Sequence, residues 1–456
     1  MVRLPGGWLA LAKEAANRLY VTSGRAEGAT TSRFVAREAL GVALYTNSFF
    51  LMAHAAVTSI SGVFFWVLAA RMLDAGDVGR GAALISAALL LTFIARFGLE
   101  FGLVRFLPTI RENPSGLINS CFLISATTSM VLAGIFLIGA PFWTPQLAFV
   151  GQNILLAAGF VAVVTLAPIY AILTQVYIAA RRSEFTVLQG SLMSVLKIGA
   201  LPFLIGTGAS IAVFASWGLA IVVAMGVGLL LYLPRVQPQY RLHSGFQGNL
   251  TRGVLRFSLA NYVSAGFSRM PTLILPLMVV NSLGAELNAF FFVAWAVVGH
   301  ILAIPISIGD SLFSIGSAHQ DGLQRYAIRS LRLTAGLLLP TVLVAIIAAE
   351  KLLQLFGEEY ASAGSLLLRL LAVSALPAAA NSVYLAMARV QKSLGRIMIV
   401  SGIVAGLTLG LSLVLIPVLG ILGPGIAWLA ANTVATTISV PGIIRAVRRS
   451  GAPLMV

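Results

Sequence analysis

The chain has 456 residues, of which 59% are hydrophobic and 10% charged, and its mean hydropathy is +0.97. That composition excludes a water-soluble domain of ordinary make-up. The net charge of +16 would point to nucleic acid in a soluble protein. Here the basic residues flank apolar segments on one side, so topology and anionic lipid headgroups account for them, and no nucleic-acid partner is expected.

A bilayer core takes ~20 apolar residues of helix. Stretches of that length recur from Tyr45 to Ile444 and predict twelve spans, at 45–70, 81–107, 117–140, 152–180, 186–205, 210–233, 255–281, 288–315, 329–349, 364–388, 397–417 and 424–444. Ahead of them lies a basic tail, residues 1–44, with Arg3, Lys13, Arg18, Arg25, Arg33 and Arg37. Trp8 to Leu11 is too short an apolar core for a secretory signal, so the first span is expected to serve as an uncleaved anchor. Of the lysines and arginines outside the spans, all but Arg71, Arg80 and Lys351 fall in the tails or in every second gap. By the positive-inside rule this places both termini in the cytoplasm of a multi-pass plasma-membrane protein.

The longest connection, residues 234–254, divides the chain into bundles of six spans, 45–233 and 255–446, with a short tail at 447–456. No gap is long enough for a folded catalytic domain. The halves carry a weak repeat. Asp77, just past span 1, and Glu286, just past span 7, lie at an offset that brings Glu100 of span 2 within one residue of Asp310 of span 8. An even number of spans per half makes such repeats parallel, related by an axis along the membrane normal. The fold class expected is an all-α polytopic membrane protein.

Charge inside the spans is the functional signal. Arg96, Lys197, Arg269 and Arg369 each cost ~3 kcal/mol at a helix centre on insertion scales. They are therefore expected to face water, a counter-charge or an anionic cargo. Arg96, Lys197 and Arg269 are the candidate substrate-binding cations. Glu100 and Asp310 are the acids at matching depth and the candidates for ion coupling or gating. Arg96 and Glu100 share a helix face, an ion-pair spacing, and Asp310 is the acid available to Arg269. Pro271 and Pro276 make span 7 the helix expected to break. Asn47, Asn261 and Asn381 read as interhelical hydrogen bonders, and His54 and His300 as packed rather than proton-carrying. The lone Cys121 has no disulfide or metal partner in sequence.

Enzyme chemistry finds no footing. There is no phosphate loop, no zinc helix and no nucleophile triad, so neither cofactor nor metal is expected. Asp74 and Asp77 sit where polytopic glycosyltransferases place acids, but their loop is too short to hold an acceptor, and Asp77 reads as a helix-start residue.

Several apolar motifs carry a family resemblance across residues 40–446. They are Phe65-Trp66-Val67-Leu68-Ala69-Ala70-Arg71 with Asp77-Val78-Gly79, Gly102-Leu103-Val104-Arg105-Phe106-Leu107-Pro108, Phe291-Phe292-Val293-Ala294-Trp295, Ile304-Pro305 and Ser311-Leu312-Phe313. The chain resembles the polysaccharide-biosynthesis, or lipid-linked oligosaccharide, flippases of the multidrug/oligosaccharidyl-lipid/polysaccharide export superfamily. The resemblance implies two MATE-like six-helix bundles in a V, alternating access and a cationic central cavity. It implies a polyprenyl-pyrophosphate-linked oligosaccharide as cargo, with membrane lipids, glycosyltransferases and a glycan polymerase as partners. A multidrug/cation antiporter of the same fold is the alternative; such a pump would carry an acid-dominated cavity, whereas here Arg96, Lys197, Arg269 and Arg369 outnumber Glu100 and Asp310 within the spans. A polytopic glycosyltransferase is a third reading.

Overall fold

A computed structural model describes residues 29–110, 114–242, 248–318 and 323–449. All described secondary structure is helical. The first half comprises α1 (Ala29–Met72), α2 (Ala75–Arg96), α3 (Leu99–Phe106), α4 (Pro114–Trp143), α5 (Ile154–Ala179), α6 (Glu184–Leu204) and α7 (Ala209–Val227). The second comprises α8 (Gly248–Leu283), α9 (Ala285–Ala318), α10 (Leu323–Ile347), α11 (Glu358–Val390), α12 (Leu394–Leu419) and α13 (Leu422–Arg449).

Eleven described helices are long and apolar enough to cross a membrane. The twelfth expected span coincides with α13, whose side chains from residue 442 on lie outside the described residues. α13 nevertheless packs against α11 and α12. Large side chains such as Ile138, Phe142, Phe203 and Val418 stand exposed on the outside, as a lipid-facing surface requires. The first helix starts at Ala29, so residues 29–44 are helical and continuous with the first span, and residues 1–28 lie outside the described residues.

Two expected spans differ from the sequence reading. The stretch 81–107 is broken: α2 ends at Arg96, Phe97 and Gly98 take left-handed backbone angles (φ 48° and 72°), and α3 starts at Leu99. A Cβ on Gly98 would come within 2.7 Å of the Tyr262 Cβ, so only glycine lets α8 approach here. The break frees carbonyls, and Tyr262 donates its hydroxyl to the Ile94 carbonyl at 3.4 Å. Conversely, α8 runs unbroken through Pro271 and Pro276, the prolines expected to break it. Its neighbours α2, α9 and α12 hold it along its length, and packing outweighs the lost hydrogen bonds.

The halves are joined at one end. α2 is rich in Gly, Ala and Ser, which allows neighbours from both halves to approach closely. A Cβ on Gly79 would lie 1.7 Å from the Ala285 carbonyl oxygen. The Gly79 carbonyl accepts a hydrogen bond from Asn288 Nδ2 at 2.9 Å. Gly79 and Asn288 stand at the same offset in sequence that pairs Asp77 with Glu286. Arg71 adds a further tie by donating from Nε to the Leu355 carbonyl at 2.9 Å, and Asn281 donates to the Trp143 carbonyl. One apolar core runs across both halves at this end, uniting Phe65, Val78 and Phe160 with Leu275, Phe291 and Leu367. Towards the opposite end lie two further cores, one around Tyr177 in the first half that takes in Val254 of α8, and one around Met387 in the second half.

Candidate functional site

Where the cores separate, a cavity of about 1510 Å³ opens between the halves. α8, α9, α11 and α12 form most of its wall, while Ile85, Ser86 and Leu89 of α2 close it from the first half. Its charged lining residues are Arg269, Arg389, Lys392 and Asp310, an excess of cations. Among the described residues Asp310 is the sole acid in the wall.

Arg269 stands on α8 with its guanidinium 5.8 Å from the centroid of the Phe93 ring. Phe93 stacks on Tyr262 at 4.9 Å, which holds that platform in place. Asp310, the acid that the sequence made available to Arg269, does not pair with it. It accepts from Arg389 Nη1 at 3.1 Å, linking α9 to α11. Both side chains are open to water, 62% exposed for Asp310 and 44% for Arg389. α9 continues nearly to the end of the bundle, so Asp310 falls near its wet end.

Arg96 and Glu100 lie behind this wall. Their side chains are 11% and 10% exposed, and Arg96 Nη1 is 3.4 Å from Glu100 Oε1. Arg96 also donates from Nε to the Thr92 carbonyl at 3.3 Å. The pair spans the break at Phe97–Gly98 and so ties α2 to α3. Glu100 Oε2 is buried without a hydrogen-bond partner among the described residues. Lys197 is further away, between α6 and α1, with Nζ 5.3 Å from the Phe65 ring centroid. Arg369 donates to the Ile346 carbonyl at 3.2 Å and is exposed. The fold therefore puts Arg269 and Asp310 into the cavity wall and Arg96, Glu100 and Lys197 outside it.

Sequence reasoning missed Arg389 and Lys392, which it took for orienting charges in a loop. The signal was present: α11 continues to Val390, so Arg389 is helical and faces the same cavity as Asp310. Asn381 bonds across to the Asn432 carbonyl at 3.1 Å and accepts from Thr436, tying α11 to α13. Asn47 accepts from the Ser183 amide at 3.3 Å, linking α1 to the start of α6. The Asn261 side chain lies outside the described residues. His300 lines the cavity with Nδ1 2.8 Å from the Ala296 carbonyl of its own helix.

Comparison with known proteins matches this arrangement. A solved structure titled as the lipid II flippase MurJ in an inward closed conformation superposes with a TM-score of 0.72 at 12% identity, covering 88% of this chain and 90% of that one. The chain has the fold of MurJ and the MATE transporters. An inward-facing multidrug resistance MATE family transporter of the MOP superfamily gives 0.66 at 15% identity, over 88% of this chain and 99% of that one. A MOP superfamily transporter from Pyrococcus furiosus, titled as having a binding pocket of reverse polarity, gives 0.60 at 15%, over 89% and 95%. Residues 268–414, from Ser268 on α8 through most of α12, match the MatE family model. No curated protein sequence matches the chain. The all-α architecture in two six-helix halves is thus the fold that the resemblance implied.

Proposed function

We propose that the protein is a transporter that flips a lipid-linked oligosaccharide, carried on polyprenyl pyrophosphate, from the inner to the outer leaflet of the plasma membrane for cell-surface polysaccharide synthesis. The observation that carries this reading is the sign of the cavity, with Arg269, Arg389 and Lys392 set against one carboxylate. A cavity of one sign with low-dielectric walls concentrates counter-ions. Two guanidiniums suit a pyrophosphate because each can bind it through paired hydrogen bonds. An incoming phosphate replaces Asp310 as the partner of Arg389, which couples cargo entry to the α9–α11 contact. Glu100, half-paired behind the wall, and Asp310 are the gating or coupling acids in this reading. Arg96 acts on the site through Glu100, and Lys197 adds positive charge in the first half. The basic end of the bundle is cytoplasmic, both termini lie there, and glycosyltransferases or a glycan polymerase work alongside. The likeness to MurJ, titled as a lipid flippase, supports this reading.

The MatE match of residues 268–414 favours the second reading, extrusion of cationic drugs. Proteoliposomes separate the two. A fluorescent short-chain polyprenyl-pyrophosphoryl disaccharide is placed in both leaflets, and a membrane-impermeant quencher reads its movement. The expected result is protein-dependent loss of the protected pool. Rates should rank wild type, then Arg269→Lys, then Arg269→Ala, because lysine keeps the charge but loses the fork. Absence of lipid movement, with efflux of ethidium in its place, would select the drug reading.

A further inference from the structure

The cavity wall has a second character that charge does not explain. α8 turns a row of hydroxyls to it: Ser264, Ser268 and Thr272 lie four residues apart on the face that carries Arg269. Trp295 of α9 and Trp428 of α13 line it as well, edge to face with ring centroids 5.2 Å apart. Phe291 stacks on Trp295 at 5.8 Å and fixes that ring. The Trp428 Nε1–H is buried with no hydrogen-bond partner among the described residues, and a buried donor of this kind is destabilising until it is paired.

A phosphate is taken by guanidinium and ammonium groups, and a prenyl tail needs neither hydroxyls nor an indole N–H. A cationic drug would call for carboxylates beside the aromatic rings, and the wall's one described acid, Asp310, is paired with Arg389. Side-chain hydroxyls together with indole rings fit a neutral sugar. The C–H face of a pyranose packs on an aromatic ring while its hydroxyls exchange hydrogen bonds with Ser, Thr and indole N–H.

We propose that Ser264, Ser268, Thr272, Trp295 and Trp428 form a glycan subsite for an uncharged hexose or N-acetylhexosamine ring, next to the cationic pocket for the pyrophosphate. The inference rests on the lipid-pyrophosphate reading and adds that the sugar, as well as the anion, is recognised. A cargo with an uncharged first sugar then binds better than its bare carrier.

The test uses the full chain in lipid nanodiscs and two probes, geranylgeranyl pyrophosphate and geranylgeranyl-pyrophosphoryl-N-acetylglucosamine. Affinities are measured for wild type, Trp428→Phe and Ser268→Ala. Wild type is expected to bind the glycosylated probe about tenfold more tightly than the bare one. Each variant should lose most of that ratio and keep its affinity for the bare probe. If Trp428→Phe does not stay folded, Ser268→Ala, which removes a single oxygen, decides. Equal affinity of wild type for both probes overturns the subsite and leaves the pyrophosphate reading standing, as do variants that preserve the ratio. Binding of neither probe to wild type overturns both.

Discussion

Arg96 and Glu100 show how a pair of residues can be both costly and required. Two ions leave water for a nearly closed site, and their attraction offsets that desolvation only while both are present. Glu100→Gln strands a buried guanidinium and is expected to cost about 3–5 kcal/mol of stability, read as a lower melting temperature in detergent. The double variant Arg96→Met/Glu100→Leu should recover most of the loss, because apolar residues of similar volume replace a buried pair at little cost. If the double variant melts no higher than Glu100→Gln, the pair is not the reason. Coupling is a separate property. Transport by Glu100→Gln and Asp310→Asn with unchanged dependence on a proton or sodium gradient would leave both acids without that role.

At the scale of the element, the break in the second span is fixed by one glycine and one tyrosine. Gly98 holds a left-handed angle against the Tyr262 side chain, and Tyr262 pairs the Ile94 carbonyl that the break exposes. Gly98→Ala is expected to destabilise by at least the ~1–2 kcal/mol of a left-handed L-residue, with the clash at Tyr262 added. Gly62 on α1 is the control, since a Cβ there meets nothing within 4 Å. Gly62→Ala should be neutral or stabilising by up to ~1 kcal/mol through helix propensity. Equal melting shifts for the two variants would mean that the break is not held by glycine. α8 teaches the converse lesson: Pro271 and Pro276 sit in a continuous helix because neighbouring helices hold its course.

For the whole molecule, the halves share a core at the Gly79–Asn288 end and part around the cavity at the other. The basic residues gather at that other end, as Arg105, Arg182, Arg235, Arg389 and Arg396 do. Single cysteines at Arg182 and Glu358, in a background with Cys121 replaced, should therefore react with an impermeant thiol reagent from opposite sides. Arg182 follows α5 and Glu358 starts α11, at opposite ends of the bundle. Labelling of both from the same side would end the alternating-charge topology.

The sequence by itself determined that the chain lies in a membrane, roughly where its helices run, and which cations and acids fall within apolar stretches of chain. Those properties are written in local composition and charge, because a bilayer filters residues one helix at a time. The Arg96–Glu100 pair was legible because its partners stand four residues apart in sequence, close enough to meet even across the break at Phe97–Gly98. Only the tertiary structure decided which charges meet the cavity. Arg269 and Asp310 share its wall yet do not pair, since Arg389 from another helix reaches Asp310 first. Lys197 looked equivalent to Arg269 in sequence and lies instead against Phe65. The direction a side chain faces depends on the packing of helices far apart in the chain, and no single helix encodes it.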